Sequence, residues 1–213
     1  MNKFVLFDLD GTIMNSGPGI KKCAMQTLEK LNIPHKSYEE MDYFIGPPFR
    51  DCFRLSNVEE ERVEEACQIY RELYINGGIY DQEIYPGIIE LLNKLIVDNY
   101  KLMICTSKGE LLALEVVNHF QLKKYFYEIH GGSMDASRAK KYEIIEDCMK
   151  KYKNDEFVMV GDTYLDIQGA KINHIKSIAV TYGYGDKNKL IEANPDIIVD
   201  EVEAIYQAIK QLM

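Results

Sequence analysis

Phe4, Val5, Leu6 and Phe7 form an unbroken apolar run that stops at Asp8-Leu9-Asp10-Gly11-Thr12. A short run of aromatic and branched residues reads as a strand buried on both faces, as in a parallel sheet. Sheets of that kind bind ligands outside the carboxyl ends of their strands. Two carboxylates one residue apart stand at that end, with Gly11 permitting a tight turn. The strand is ending there, so Asp8 and Asp10 can both be turned toward one ion. Alone, Asp-x-Asp-Gly would read first as a solvated turn.

Two more strands change that reading. Lys101-Leu102-Met103-Ile104-Cys105 runs into Thr106-Ser107-Lys108, and Phe157-Val158-Met159-Val160 runs into Gly161-Asp162-Thr163-Tyr164-Leu165-Asp166. Between them a basic cluster, Arg138, Lys140 and Lys141, opens a predicted helix. Phosphate chemistry needs this inventory: a carboxylate nucleophile, carboxylates for a hard cation, and a hydroxyl and an ammonium for phosphoryl oxygens.

With these residues the chain resembles haloacid dehalogenase-superfamily phosphatases, in the subgroup of phosphoglycolate phosphatase and β-phosphoglucomutase. Asp8-Leu9-Asp10-Gly11-Thr12 matches the first motif and Thr106-Ser107-Lys108 the second. Lys141 matches the third-motif lysine and Gly161-Asp162-x-x-x-Asp166 the fourth. The motifs come in the family's order and span the whole chain. The resemblance implies a Rossmann-like α/β core, a parallel sheet with helices on both faces, carrying an inserted small helical-bundle cap. The expected division is a core of residues 1–15 and 82–213 and a cap of residues 16–81.

Elements read along the chain agree with an interrupted α/β order. Ser16-Gly17-Pro18 looks like a helix start, with Pro18 at the first helical position. Ile20, Ala24, Thr27, Leu28 and Leu31 mark one helical face until Asn32-Ile33-Pro34 breaks it. Asn57 with Glu60 resembles a capping box for a long helix whose apolar face runs from Val63 to Tyr74. Asn76-Gly77-Gly78 stops that helix. After Tyr85-Pro86-Gly87, strands and helices alternate to a terminal helix from Val202, which implies parallel pairing.

The 213 residues suffice for a sizeable core, and 46% hydrophobic with 28% charged residues is ordinary for a globular protein. Lys and Arg number 25 against 34 Asp and Glu, a net charge of −9, which argues against a nucleic-acid partner. A small phosphate ester is not excluded, because Mg²⁺ and a lysine would meet its charge locally. Cys23, Cys52, Cys67, Cys105 and Cys148 are scattered and odd in number, so they read as free thiols in a reducing compartment. His35, His119, His130 and His174 show no metal-ligand spacing. Asp8 interrupts any leader-like apolar run and no stretch approaches a membrane span, so the expected location is cytoplasmic. Oligomeric state is not legible.

The resemblance also implies roles. Asp8 would be the nucleophile and a metal ligand; Asp10 would give its backbone carbonyl to Mg²⁺ and its side chain as general acid and base. Asp162 would be the third metal ligand, and Asp166 would hold Lys141 or a metal-bound water. Thr106 and Ser107 would bind phosphoryl oxygens near a helix N-terminus. Lys141 would neutralise charge on Asp8 and the phosphoryl group, with the adjacent Lys140 competing for that register. Lys108 reads equally as an exposed loop lysine or a phosphate contact. In Ile45-Gly46-Pro47-Pro48-Phe49-Arg50, Phe49 and Arg50 match the position of the cap's substrate-specificity loop, and a plain helix–helix turn is an equal alternative. The implied activity is Mg²⁺-dependent hydrolysis of a small phosphorylated metabolite, phosphoglycolate-, nucleotide- or sugar-phosphate-like, through an aspartyl-phosphate. A phosphosugar mutase, or a non-catalytic signalling domain phosphorylated on Asp8, are the alternatives.

Overall fold

A computed structural model describes residues 1–46, 49–133 and 140–213; Pro47, Pro48 and Arg138 therefore lie outside the described residues. The chain separates into two compact units, one of Met1–Asn15 with Ile84–Met213 and one of Ser16–Glu83.

The larger unit is built on β1 (Lys3–Phe7), whose Phe4 to Phe7 are wholly buried. Two-residue strands β2 (Met14–Asn15) and β3 (Glu83–Ile84) lie where the chain leaves and re-enters. The other strands are β4 (Lys101–Gly109), β5 (Glu128–Gly132), β6 (Glu156–Gly161), β7 (Lys176–Val180) and β8 (Ile197–Val199). They form a six-stranded sheet in the order β5-β4-β1-β6-β7-β8, with every pairing parallel. The chain goes from β1 to β4 and β5 on one side, then returns to β6 on the other. The order thus reverses at β1, and the carboxyl ends of β4, β1 and β6 lie where open α/β sheets place ligands.

Helices α4 (Ile88–Val97), α5 (Glu110–His119), α6 (Lys141–Met149), α7 (Tyr164–Ile172), α8 (Lys187–Glu192) and α9 (Val202–Leu212) connect and cover the strands. Alternation along the strands decides what they cover. Phe4 and Leu6, Met103 and Cys105, and Phe157 and Met159 pack with Ile144, Ile145 and Cys148 of α6 and Ala170 of α7. Val5, Phe7, Leu102, Ile104, Val158 and Val160 point the other way and are equally buried. That two-sided burial explains runs without polar alternation. The short α8 has no strong apolar period to announce it; Asp186 caps it by accepting from the Asn188 and Lys189 N–H groups.

The smaller unit is helical, with α1 (Gly17–Lys30), α2 (Phe49–Leu55) and α3 (Val63–Ile75) and short 3₁₀ turns between them. Phe44, Phe53, Tyr70 and Tyr74 form its aromatic centre, and α1 approaches the 78–80 turn closely. A Cβ on Gly19 would sit 2.1 Å from the Gly78 carbonyl oxygen, so only glycine fits there.

Three local expectations are corrected. Asn57 does not cap α3; at φ 60° it ends α2, and its N–H reaches the Arg54 carbonyl at 3.0 Å. Asparagine tolerates left-handed backbone and serves helix ends as well as starts. The long helix begins at Val63, after a turn over Glu60–Arg62. Pro18 is one position further in than expected, because Ser16 is the N-cap and Gly17 the first helical residue. First-turn N–H groups lack partners anyway, so a proline costs no hydrogen bond at either position. Phe49 and Arg50, expected in a connecting loop, open α2 instead.

Candidate active site

The reversal at β1 brings together residues far apart in sequence. Asp8 follows the last residue of β1, Asp162 follows the last residue of β6, and Thr106 lies near the end of β4. All three are buried. Lys141 is the first residue of α6, and its ammonium has three partners: Asp8 Oδ2 at 2.9 Å, Asp166 Oδ1 at 2.7 Å and the Cys105 carbonyl oxygen at 3.1 Å. A lysine has three donors, so this head group is fully used. Lys140, one residue earlier, is exposed. The backbone turn into α6 is what separates the two neighbours.

Asp166 sits in the first turn of α7, where Thr163 is the N-cap. Its Oδ2 accepts from the Thr163 N–H at 3.0 Å and the Thr163 hydroxyl at 2.7 Å. Asp162 stays outside the helix and accepts from the Tyr184 N–H at 2.8 Å and the Thr12 hydroxyl at 3.3 Å. One oxygen each from Asp8, Asp162 and Asp166 lie within 4.8 Å of one another.

Electrostatics follow from crowding and burial. Loss of water pushes the Asp8 carboxyl up to about 6, against the pull of Lys141. Burial first, then the charges of Asp8 and Asp166, raises Asp162 to about 8. Burial works against the Lys141 ammonium, yet Asp166 and Asp8 together hold its proton well above the ordinary lysine range. Fully ionised, three carboxylates would face one ammonium here, an excess of two negative charges in a buried site. An oxygen-lined site with that imbalance suits a divalent hard cation.

Asp10 stands apart from this cluster. Its two oxygens lie 3.0 and 2.8 Å from Lys108 Nζ, so Lys108 is neither an exposed loop lysine nor left to itself. Ser107 is exposed. Phe49 and Arg50 belong to the helical unit, where Phe49 packs on Tyr70 with ring centroids 4.1 Å apart and Arg50 pairs with Glu64.

Comparison with known proteins shows the family. Residues 5–180 match the family model for haloacid dehalogenase-like hydrolases. The chain belongs to that family. It is 32% identical to a Pseudomonas aeruginosa 5'-nucleotidase over 209 residues, which cover 97% of this chain and 95% of the relative. A Vibrio parahaemolyticus phosphoglycolate phosphatase is 26% identical, covering 97% and 96%. A crystal structure from Clostridium difficile superposes with a TM-score of 0.92 at 34% identity, covering 98% of this chain and 99% of that one.

In this haloacid dehalogenase-like hydrolase several residues that shape the site escaped sequence reasoning. Thr12, Thr163 and the Tyr184 N–H each hold one of the acidic side chains. Thr12 and Tyr184 lie 150 and 22 positions from Asp162, beyond any local pattern, whereas Thr163-x-x-Asp166 has the local spacing of a capping box. Another signal was available: Tyr182-Gly183-Tyr184-Gly185 alternates glycines shortly after β7. A Cβ on Gly183 would lie 2.4 Å from Asp162 Cβ, and one on Gly185 would lie 1.8 Å from the Asp162 carbonyl oxygen. The glycines let this backbone close over Asp162.

Proposed function

We propose that the protein is a phosphatase hydrolysing a small phosphate monoester through an aspartyl-phosphate on Asp8. The observation that carries this reading is the buried Lys141 ammonium, 2.9 Å from Asp8 and 2.7 Å from Asp166, beside Asp162 at the sheet's switch point. Such a site holds a carboxylate in a fixed direction and compensates its charge without consuming it as a proton acceptor.

In the proposed reaction an Asp8 oxygen attacks phosphorus while the ester P–O bond breaks. Asp10 gives its proton to the leaving oxygen. Water then attacks the phosphoryl group, Asp10 takes back a proton, and inorganic phosphate leaves with Asp8 restored. Thr106 meets the phosphoryl oxygens, and Lys141 turns the donor that held Asp8 toward them once Asp8 attacks, with Ser107 at the exposed margin. Asp8, Asp162 and the Asp10 carbonyl would hold a Mg²⁺, which would supply positive charge toward the phosphoryl oxygens. Asp166 keeps Lys141 aimed. The names of the relatives support a nucleotide or a short carboxylated phosphate as the substrate class.

Asp8→Asn keeps the side-chain shape and removes the nucleophile. Its turnover should fall by more than about a thousandfold with the circular dichroism spectrum unchanged. Phosphate release within tenfold of the wild type would end the covalent reading. Release of stoichiometric alcohol without phosphate would favour a phosphorylated end state over hydrolysis.

A further inference from the structure

We infer that Lys108 is the positioning residue of the acid–base group Asp10, held there by a purpose-built irregularity in β4; this rests on the phosphatase reading. Lysine is among the residues least often buried, yet the Lys108 side chain is only 8% exposed. Its Nζ spans both Asp10 oxygens, at 3.0 and 2.8 Å, and so restrains the plane of that carboxylate. Asp10 itself is partly open, at 27%, and its carboxylate is not one of the three that cluster, those of Asp8, Asp162 and Asp166.

The backbone explains how a lysine comes to be there. Cys105 of β4 pairs with His130 of β5, and Gly109 pairs with Gly132. Four steps along β4 therefore match two along β5, and the surplus falls on Thr106, Ser107 and Lys108. Bulges of this kind re-aim side chains beside active sites. The bulge leans on β5, where a Cβ at Gly131 would lie 2.7 Å from the Lys108 carbonyl oxygen and 2.5 Å from Glu110 Cα. Inside the bulge the Lys108 N–H donates to the Thr106 hydroxyl at 3.3 Å, so one distortion orients both residues.

An acid is needed only when the leaving oxygen is basic. Nitrophenolate departs unaided, whereas a benzyl alkoxide needs its proton during bond breaking. Lys108 acting through Asp10 should therefore matter in proportion to leaving-group basicity. A lysine that bound the phosphate would matter equally for every ester.

The test compares benzyl phosphate with p-nitrophenyl phosphate by kcat/KM. Lys108→Met should lose about 30-fold more on benzyl phosphate than on p-nitrophenyl phosphate, part of the 10²–10⁴-fold worth of a general acid. Lys108→Arg should recover most of that difference. Adding Lys108→Met to Asp10→Asn should cost little more than Asp10→Asn alone, because both act through one carboxylate. Equal losses on the two esters, or additive losses in the double variant, would overturn the assignment while leaving the phosphatase reading intact. A wild type inactive on both esters, with and without Mg²⁺, would sink the two together.

Discussion

At the scale of single residues, Lys141 carries the electrostatic balance of the buried acids. Its ammonium is the cation shared by Asp8 and Asp166 inside a buried site. Removing one member of a buried ion network strands the others, at a cost of about 3–5 kcal/mol. Lys141→Met should therefore lower unfolding free energy by that order in urea titrations at pH 7.5. A milder effect is expected at pH 5.5, where protonation relieves the carboxylates. A Lys141→Met protein as stable as the wild type at both pH values would show that the carboxylates find other compensation. Asp10 lies against the Lys108 ammonium, whereas Asp8, Asp162 and Asp166 cluster around Lys141.

At the scale of elements, the ends of strands and the starts of helices do the positioning. β1 and β6 stop where their acids begin, and α6 and α7 start where Lys141 and Asp166 are needed. The α7 start is the simplest to probe. Thr163 is its N-cap, and its hydroxyl also holds Asp166 Oδ2 at 2.7 Å. Thr163→Ala should cost about 1 kcal/mol of stability, the usual worth of an N-cap. It should also lower kcat, since Asp166 then holds Lys141 less firmly, while Thr163→Ser keeps both. A stability loss with kcat unchanged would confine Thr163 to capping. The capping expected of Asn57 failed for a related reason: a short polar residue suits either helix end, and which end it serves depends on the φ that packing imposes.

At the scale of the whole molecule, the site should tie fold stability to pH and to a bound divalent cation. Asp8 and Asp162 are raised to about 6 and about 8 from an ordinary value near 3.8. Between those limits the folded chain holds more protons than the unfolded one, so stability falls as pH rises. The favourable contribution is complete below the unfolded value and is lost on passing through about 6 and then about 8. A divalent cation would take the place of those protons. Calorimetry in EDTA should show Tm declining from pH 6 to pH 8, and added Mg²⁺ should raise Tm more at pH 8 than at pH 6. An equal shift at both pH values would place the metal away from these carboxylates. Among the described residues no helix is long and apolar enough to cross a membrane.

The sequence by itself determined the sheet strands, their parallel character and the acids at their ends. Burial on two faces writes itself as an unbroken apolar run, and a strand's end is marked where that run stops. Both are local properties, so Phe4 to Phe7 followed by Asp8, and Val160 followed by Gly161-Asp162, were legible without a partner in view. Only the tertiary structure decided which neighbour was used and what held it. Lys141 rather than Lys140 reaches Asp8 because of how the chain turns into α6, and the Tyr184 N–H reaches Asp162 because two glycines let a distant loop close. Lys108 meets Asp10 because β4 bulges against Gly131. Each of these contacts depends on two backbones packed across a fold, which no local periodicity encodes.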